Sequence, residues 1–275
     1  MSASSDAGLL AIEESGRGKP LVLIHGLGTD RGVWADAARS LERHHRVVVL
    51  DLPGFGDSDP VGEGFDLDHV ALSVGDALES RLGGGYDLLG HSLGGAVALS
   101  LARLRPEAIS GLILSAPAGF RPRARPLATS IATAAPVLLR GRRLIGDRLV
   151  ESDLARRVLL WGALSDAATI SPERARAMLD ASSGASRLRE AAETAMTADL
   201  SAELAAIEVD VGFLWGTRDP LMPEATTDVI RQCRPKAPVE LVPGAGHVAQ
   251  VERPEAFAMA VESLLAKLHG PVTTS

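Results

Sequence analysis

Short apolar runs recur along the chain, each ended by Gly, Pro, Asp or His, and segments of helical periodicity lie between them. The runs Leu21-Val22-Leu23-Ile24, Arg46-Val47-Val48-Val49-Leu50, Tyr86 to Leu89, Gly111 to Leu114, Val209 to Leu214 and Val239 to Val242 predict strands. They are continuous rather than alternating, which is the pattern of strands buried on both faces. Helical periodicity fills about 31–42, 67–81, 93–105, 223–232 and 254–268. Such alternation predicts an α/β fold, with a mostly parallel central sheet and helices on both of its faces. Leu9-Leu10-Ala11-Ile12 is a candidate edge strand.

Between Pro117 and about Ser201 the alternation stops. No strand is evident there, while Arg142 to Leu164 and Ser171 to Asp180 have helical patterns. Ser171-Pro172-Glu173 reads as an N-cap followed by proline at the first helical position. The expected organisation is an α/β core of 1–118 and 202–275 with an inserted helical cap over 119–201.

Composition narrows the partners. The 275 residues carry a formal charge of −7, which argues against general nucleic-acid binding. Cys233 is the single cysteine, so neither an intrachain disulfide nor a cysteine-based metal cluster is expected. Met1 to Gly8 has no basic segment followed by an apolar one, and the longest apolar runs fall far short of a transmembrane segment. The expectation is a cytoplasmic protein whose oligomeric state the sequence does not specify. Residues 120–200 hold thirteen Arg, no Lys and nine acids, whereas the rest is acidic. Either this insertion draws in an anionic substrate or carrier, or its arginines face solvent or pair with acids of the core.

Gly90-His91-Ser92-Leu93-Gly94 stands between a predicted strand and a predicted helix. In that setting Gly-x-Ser-x-Gly predicts a nucleophile elbow, a sharp turn that exposes Ser92. Side chains at Gly90 and Gly94 would clash where strand and helix close up. A serine hydroxyl is a weak nucleophile and needs a base, which in turn needs a carboxylate to orient it. Two later strand-end loops supply them: Asp219, in Trp215-Gly216-Thr217-Arg218-Asp219-Pro220, and His247, in Pro243-Gly244-Ala245-Gly246-His247. A fourth loop, His25-Gly26-Leu27-Gly28, follows an early strand, and Gly26 lets its backbone approach Ser92. The Leu27 and Leu93 N–H groups are the expected oxyanion hole. His25 reads as a loop-stabilising residue and His91 as a packing residue.

With Asp51-Leu52-Pro53-Gly54-Phe55-Gly56-Asp57-Ser58, these segments make five motifs in one order. The chain resembles the α/β-hydrolase superfamily in its capped, esterase-like branch. The resemblance spans nearly the whole chain. It implies that Asp51 to Ser58 shapes a loop and that the insertion is a lid that sets specificity. It also implies a serine hydrolase of esters, thioesters or related acyl bonds of small molecules, without cofactor or metal. Two alternatives stay open. Meta-cleavage carbon–carbon hydrolases share the triad but usually have Asn before the serine and Trp after the histidine, where this chain has His91 and Val248. Lyase, cyclase or acyl-transfer chemistry on the same fold is the other.

Overall fold

The computed structural model describes residues 9–120, 149–222 and 226–270. Among them, β1 (Ile12–Gly16), β2 (Pro20–Ile24), β3 (Arg46–Leu50), β4 (Tyr86–His91), β5 (Ile109–Ser115), β6 (Val211–Gly216) and β7 (Val239–Val242) form a seven-stranded sheet. Its order is β1-β3-β2-β4-β5-β6-β7, with β1 antiparallel to β3 and every other pair parallel. The sheet is the mostly parallel one expected. β3 and β4 lie on opposite sides of β2. The chain leaving β2 and the chain leaving β4 therefore diverge, and a crevice opens above their C-terminal ends.

Alternation within each strand divides its side chains between two apolar layers. Leu21 and Leu23 pack with Trp34, with Leu41 of α1 (Ala35–Leu41) and with Phe257 and Val261 of α10 (Pro254–His269). Val22 and Ile24 face the other way. They join Val74 and Leu78 of α2 (Leu67–Leu82) and Val97 and Leu101 of α3 (Leu93–Leu104). Two covered faces explain why the strands read as unbroken Val/Ile/Leu runs.

Between β5 and β6 the described residues form α4 (Asp153–Leu159), α5 (Pro172–Gly184), α6 (Leu188–Thr197) and α7 (Ser201–Ala206). The Ser171 hydroxyl accepts a hydrogen bond from the Arg174 N–H at 3.2 Å, the N-cap that the sequence predicts. These helices belong to the core layers: Leu188, Leu200 and Leu204 are buried with α3, and Leu159, Ala175 and Leu179 with α1 and α10. After α10 come no further described elements; α8 (Thr226–Cys233) and α9 (Ala249–Glu252) precede it.

Three local expectations are corrected. The edge strand lies at Ile12–Gly16 and shares only Ile12 with the apolar run. An outermost strand with half-exposed side chains holds its place through backbone pairing to β3 and needs no apolar stretch. Of the helix read across 142–164, residues 142–148 lie outside the described residues, and the rest is helical at Leu149 and over Asp153–Leu159, with a turn between. The chain turns soon afterwards at Gly162, whose φ is +90°. The segment 31–42 begins as a 3-10 turn, Arg31–Trp34, before α1.

Close packing at the elbow sets a stability contrast. A Cβ on Gly94 would lie 2.3 Å from the His25 carbonyl oxygen, whereas one on Gly184 would meet nothing within 4 Å. Gly94→Ala is expected to lose about 3 kcal/mol, and Gly184→Ala to gain about 0.5 kcal/mol, in urea unfolding. Equal midpoints for the two variants would contradict the packing described.

Candidate active site

Ser92 sits at the junction of β4 and α3 with φ 53° and ψ −116°. It and Ala116 are the two non-glycine residues with positive φ among the described residues. Such a conformation costs roughly 1–3 kcal/mol and persists only where its surroundings enforce it. Here they do. The Ser92 N–H donates to the Ser115 carbonyl at 2.9 Å, and the Ser92 carbonyl accepts from Gly95, Ala96 and Ala118 N–H groups. A Cβ on Gly90 would lie 2.3 Å from the Gly94 carbonyl oxygen, so β4 and α3 meet only because residue 90 is glycine, while Gly94 leaves room for the backbone of Ile24 and His25. Ser92 remains half-buried at this turn, with its neighbours on either side fully enclosed.

The loop after β2 closes against the elbow. A Cβ on Gly26 would come within 3.1 Å of Ser92 Cβ and 2.8 Å of His91 Nδ1. Leu27 follows directly, and Leu93 is the first residue of α3. Among the described residues neither the Leu27 nor the Leu93 N–H donates to a protein acceptor. Among the described residues two donors without a protein acceptor, one at the N-terminus of α3, thus lie on the segments that adjoin the serine.

This loop has its own supports. His25 Nδ1–H donates to the Gly26 carbonyl at 2.8 Å, and its Nε2 accepts from the Leu52 N–H at 2.9 Å. Both ring nitrogens are committed, so His25 ties two loops together and has no lone pair left for a base. Asp51 is fully buried and accepts from the Arg31 N–H at 2.6 Å, from the Asp57 N–H at 2.9 Å and from the Arg31 guanidinium. Ser58 Oγ donates to the Asp51 carbonyl at 2.7 Å. The Asp51–Ser58 stretch is a knot that shapes the loop around the site.

Asp219 and His247 arrive from β6 and β7. A Cβ on Gly216 would lie 2.2 Å from the Gly246 carbonyl oxygen, and the Arg218 N–H donates to the Ala245 carbonyl at 2.8 Å. The two loops are therefore packed backbone to backbone. His247 Nδ1–H donates to Asp219 Oδ2 at 2.7 Å, with both side chains buried. Asp219 Oδ1 accepts from the Leu221 and Met222 N–H groups, each at 2.9 Å. The carboxylate is held from one side and orients the imidazole from the other, so the His247 lone pair lies on Nε2. His91 packs its ring 4.8 Å from that of His247, and its Nε2–H donates to the His247 carbonyl at 3.0 Å.

The segment between β5 and β6 bonds to the connections that follow β2, β3, β5 and β7. Arg174 of α5 donates to the carbonyls of Gly32 and Val33 at 2.9 and 3.1 Å. Arg187 Nη2 reaches the Gly62 carbonyl, Thr194 Oγ1 the Phe65 carbonyl and the Leu200 N–H the Gly119 carbonyl. Ala163 accepts from the Val248 N–H at 2.9 Å. Of the arginine-rich stretch, 121–148 lies outside the described residues, Arg142 and Arg143 included. Arg156 is buried, bonded to the Val150 and Ala167 carbonyls and to Asp153, and Arg157 pairs with Asp166. These two arginines serve the fold.

Sequence reasoning passed over Arg174, Ser165 and Glu252. Their roles come from contacts as distant as 142 positions for Arg174 and 87 for Glu252. None of the three has a local signal.

Burial pushes the pKa of His25 below the ordinary 6.5 and that of His91 well below it, and the neighbouring His247 adds to the second effect. Both stay neutral in the folded protein at pH values where the unfolded chain would take up a proton. Their contribution is complete above about pH 6.5 and declines as pH falls, by up to about 1.4 kcal/mol per unit for each ring. The melting temperature is expected to drop between pH 7.5 and 5.0, and less so in His91→Asn. An identical drop in that variant would contradict a buried neutral His91.

A model of the alpha/beta hydrolase family matches residues 21–260. The chain is 29% identical over 255 residues to a pimeloyl-acyl-carrier-protein methyl ester esterase of Nitrosomonas europaea, covering 92% of this chain and 98% of that protein. It is 27% identical over 255 residues to Lipase 3 of Moraxella sp., covering 91% and 78% respectively. Among solved structures, a thermophilic esterase from Thermogutta terrifontis superposes with a TM-score of 0.74 at 27% identity over 94% of both chains. Sheet order, elbow and family match agree, and the chain belongs to the alpha/beta hydrolase family.

Proposed function

We propose that the protein is a serine hydrolase that cleaves an ester, or a related acyl bond, of a small-molecule substrate through an acyl-enzyme. Ser92 is the nucleophile, His247 the general base and Asp219 the residue that orients it. The observation that carries this reading is the 2.7 Å bond from His247 Nδ1 to Asp219, on a histidine whose ring packs 4.8 Å from that of His91, the residue before the strained Ser92. Ser92 Oγ attacks the carbonyl carbon as His247 Nε2 takes its proton. Negative charge moves to the carbonyl oxygen, between the Leu27 and Leu93 N–H groups. Each such donor is worth about 10²–10³ in rate. The tetrahedral intermediate collapses, and His247 returns the proton to the departing alcohol oxygen. Water, deprotonated by the same nitrogen, then attacks the acyl-serine and releases the acid.

Residues 119–201 act in this reading as a cap. Its support is the set of bonds from α5, α6 and the 163–166 turn to the connections that follow β2, β3, β5 and β7, the strand ends at which the proposed triad stands. Relatives named as esterase and lipase favour acyl-bond hydrolysis over carbon–carbon cleavage or lyase, cyclase and acyl-transfer chemistry.

The test is hydrolysis of p-nitrophenyl acyl esters. Ser92→Ala, His247→Ala and Asp219→Asn are each expected to cost about 10³–10⁶-fold in turnover. The losses in double variants should fall far short of the product, since the three act as a unit. Near-normal hydrolysis by purified, folded Ser92→Ala would overturn the proposal. A harmless Asp219→Asn would reduce Asp219 to the turn residue that its Oδ1 bonds already make it.

A further inference from the structure

Glu252 ends α9, five positions beyond His247, and is almost fully buried, at 5% exposure. Among the described residues no arginine, lysine or histidine side chain forms an ion pair with it. A carboxylate removed from water without a cation is costly unless every oxygen is bonded. Glu252 meets that condition with neutral donors alone. Its Oε2 accepts from the Gly246 N–H at 2.6 Å and from the Ser165 N–H at 3.1 Å. Its Oε1 accepts from the Asp166 N–H at 2.7 Å and from the Ser165 hydroxyl.

These donors come from two places. Gly246 is the residue before His247, whereas Ser165 and Asp166 belong to the turn after α4. The same turn reaches the histidine loop twice more: Ser165 Oγ lies 2.7 Å from the Gly244 carbonyl oxygen, and the Val248 N–H donates to the Ala163 carbonyl. A Cβ on Gly246 would sit 2.4 Å from the Ser165 nitrogen. The backbone on either side of His247 is thus clamped to the inserted segment, and the carboxylate is the centre of the clamp. The Asp219 carboxylate orients the imidazole ring, and its loop packs on the histidine loop through Gly216 and Arg218.

We infer that Glu252 is a positioning residue for His247, coupling the 163–166 turn of the insertion to the general base. This inference rests on the roles proposed for Ser92 and His247. Displacement of a reacting group by about 1 Å can cost about 10²-fold in rate, so loss of the clamp should act on the chemical step. A role confined to the shape of a substrate pocket would act on binding instead.

Saturation kinetics of labelling by a fluorophosphonate separate the two, since they yield a maximal rate and a half-saturating concentration. Wild-type protein that is not labelled at Ser92 would overturn the proposed function itself. Given labelling, Glu252→Gln is the decisive variant. It is nearly isosteric, yet either orientation of its amide sets an NH2 group against a backbone N–H, of Gly246 and Ser165 on one side or of Asp166 on the other. The maximal rate is expected to fall about 10–100-fold, with the half-saturating concentration within about twofold of wild type. An unchanged maximal rate, or a loss confined to half-saturation, would overturn the inference. Should Glu252→Gln not fold, Ser165→Ala keeps every backbone donor and is expected to lower the same rate about fivefold, the equivalent of one hydrogen bond. A wild-type rate in that variant would overturn the inference equally.

Discussion

The site depends on how closely three backbone segments approach one another. The end of β4, the start of α3 and the loop after β2 meet at distances that leave no room for a Cβ at Gly90, Gly94 or Gly26. That contact forces Ser92 into its positive φ and places the first N–H of α3 beside the loop that carries Leu27. The proposed nucleophile and oxyanion donors are therefore consequences of one packing event. The strain at Ser92 is of the order of 1–3 kcal/mol, small against the apolar layers on both faces of the sheet that hold the segments together.

Around that contact lies a set of buried polar residues, each satisfied by fixed backbone groups. His25 bridges the Gly26 carbonyl and the Leu52 N–H; Asp51 gathers Arg31 and Asp57; Asp219 binds two N–H groups and the imidazole. Glu252 does the same for the histidine loop and the insertion. Polar groups of this kind are costly to bury and rigid once satisfied. They fix loop geometry where strands end and apolar packing no longer does so.

The sheet was legible because its strands are covered on both faces and must be continuous apolar runs. The elbow and the Asp219 and His247 loops were legible because close backbone approach demands glycine at set spacings. β1 was misplaced because an edge strand bonded on one side tolerates Glu13 and Ser15 at exposed positions. Within its described part, the helix read over 142–164 is broken at 150–152 and ends before Gly162, because periodicity does not register turns. Glu252 was invisible for a different reason. Between Val251 and Arg253 it looks like a surface acid, and its burial is created by Ser165 and Asp166, more than eighty positions away. Tertiary contacts of that range leave no periodic trace.

The most direct measurement is a crystal structure of the protein after inactivation by an alkyl phosphonate. A covalent bond from Ser92 Oγ to phosphorus is expected, with the phosphoryl oxygen about 2.7–3.1 Å from both the Leu27 and the Leu93 nitrogen and His247 Nε2 facing the ester oxygens. An adduct on another residue, or a phosphoryl oxygen directed away from those two N–H groups, would contradict the elbow as the catalytic centre.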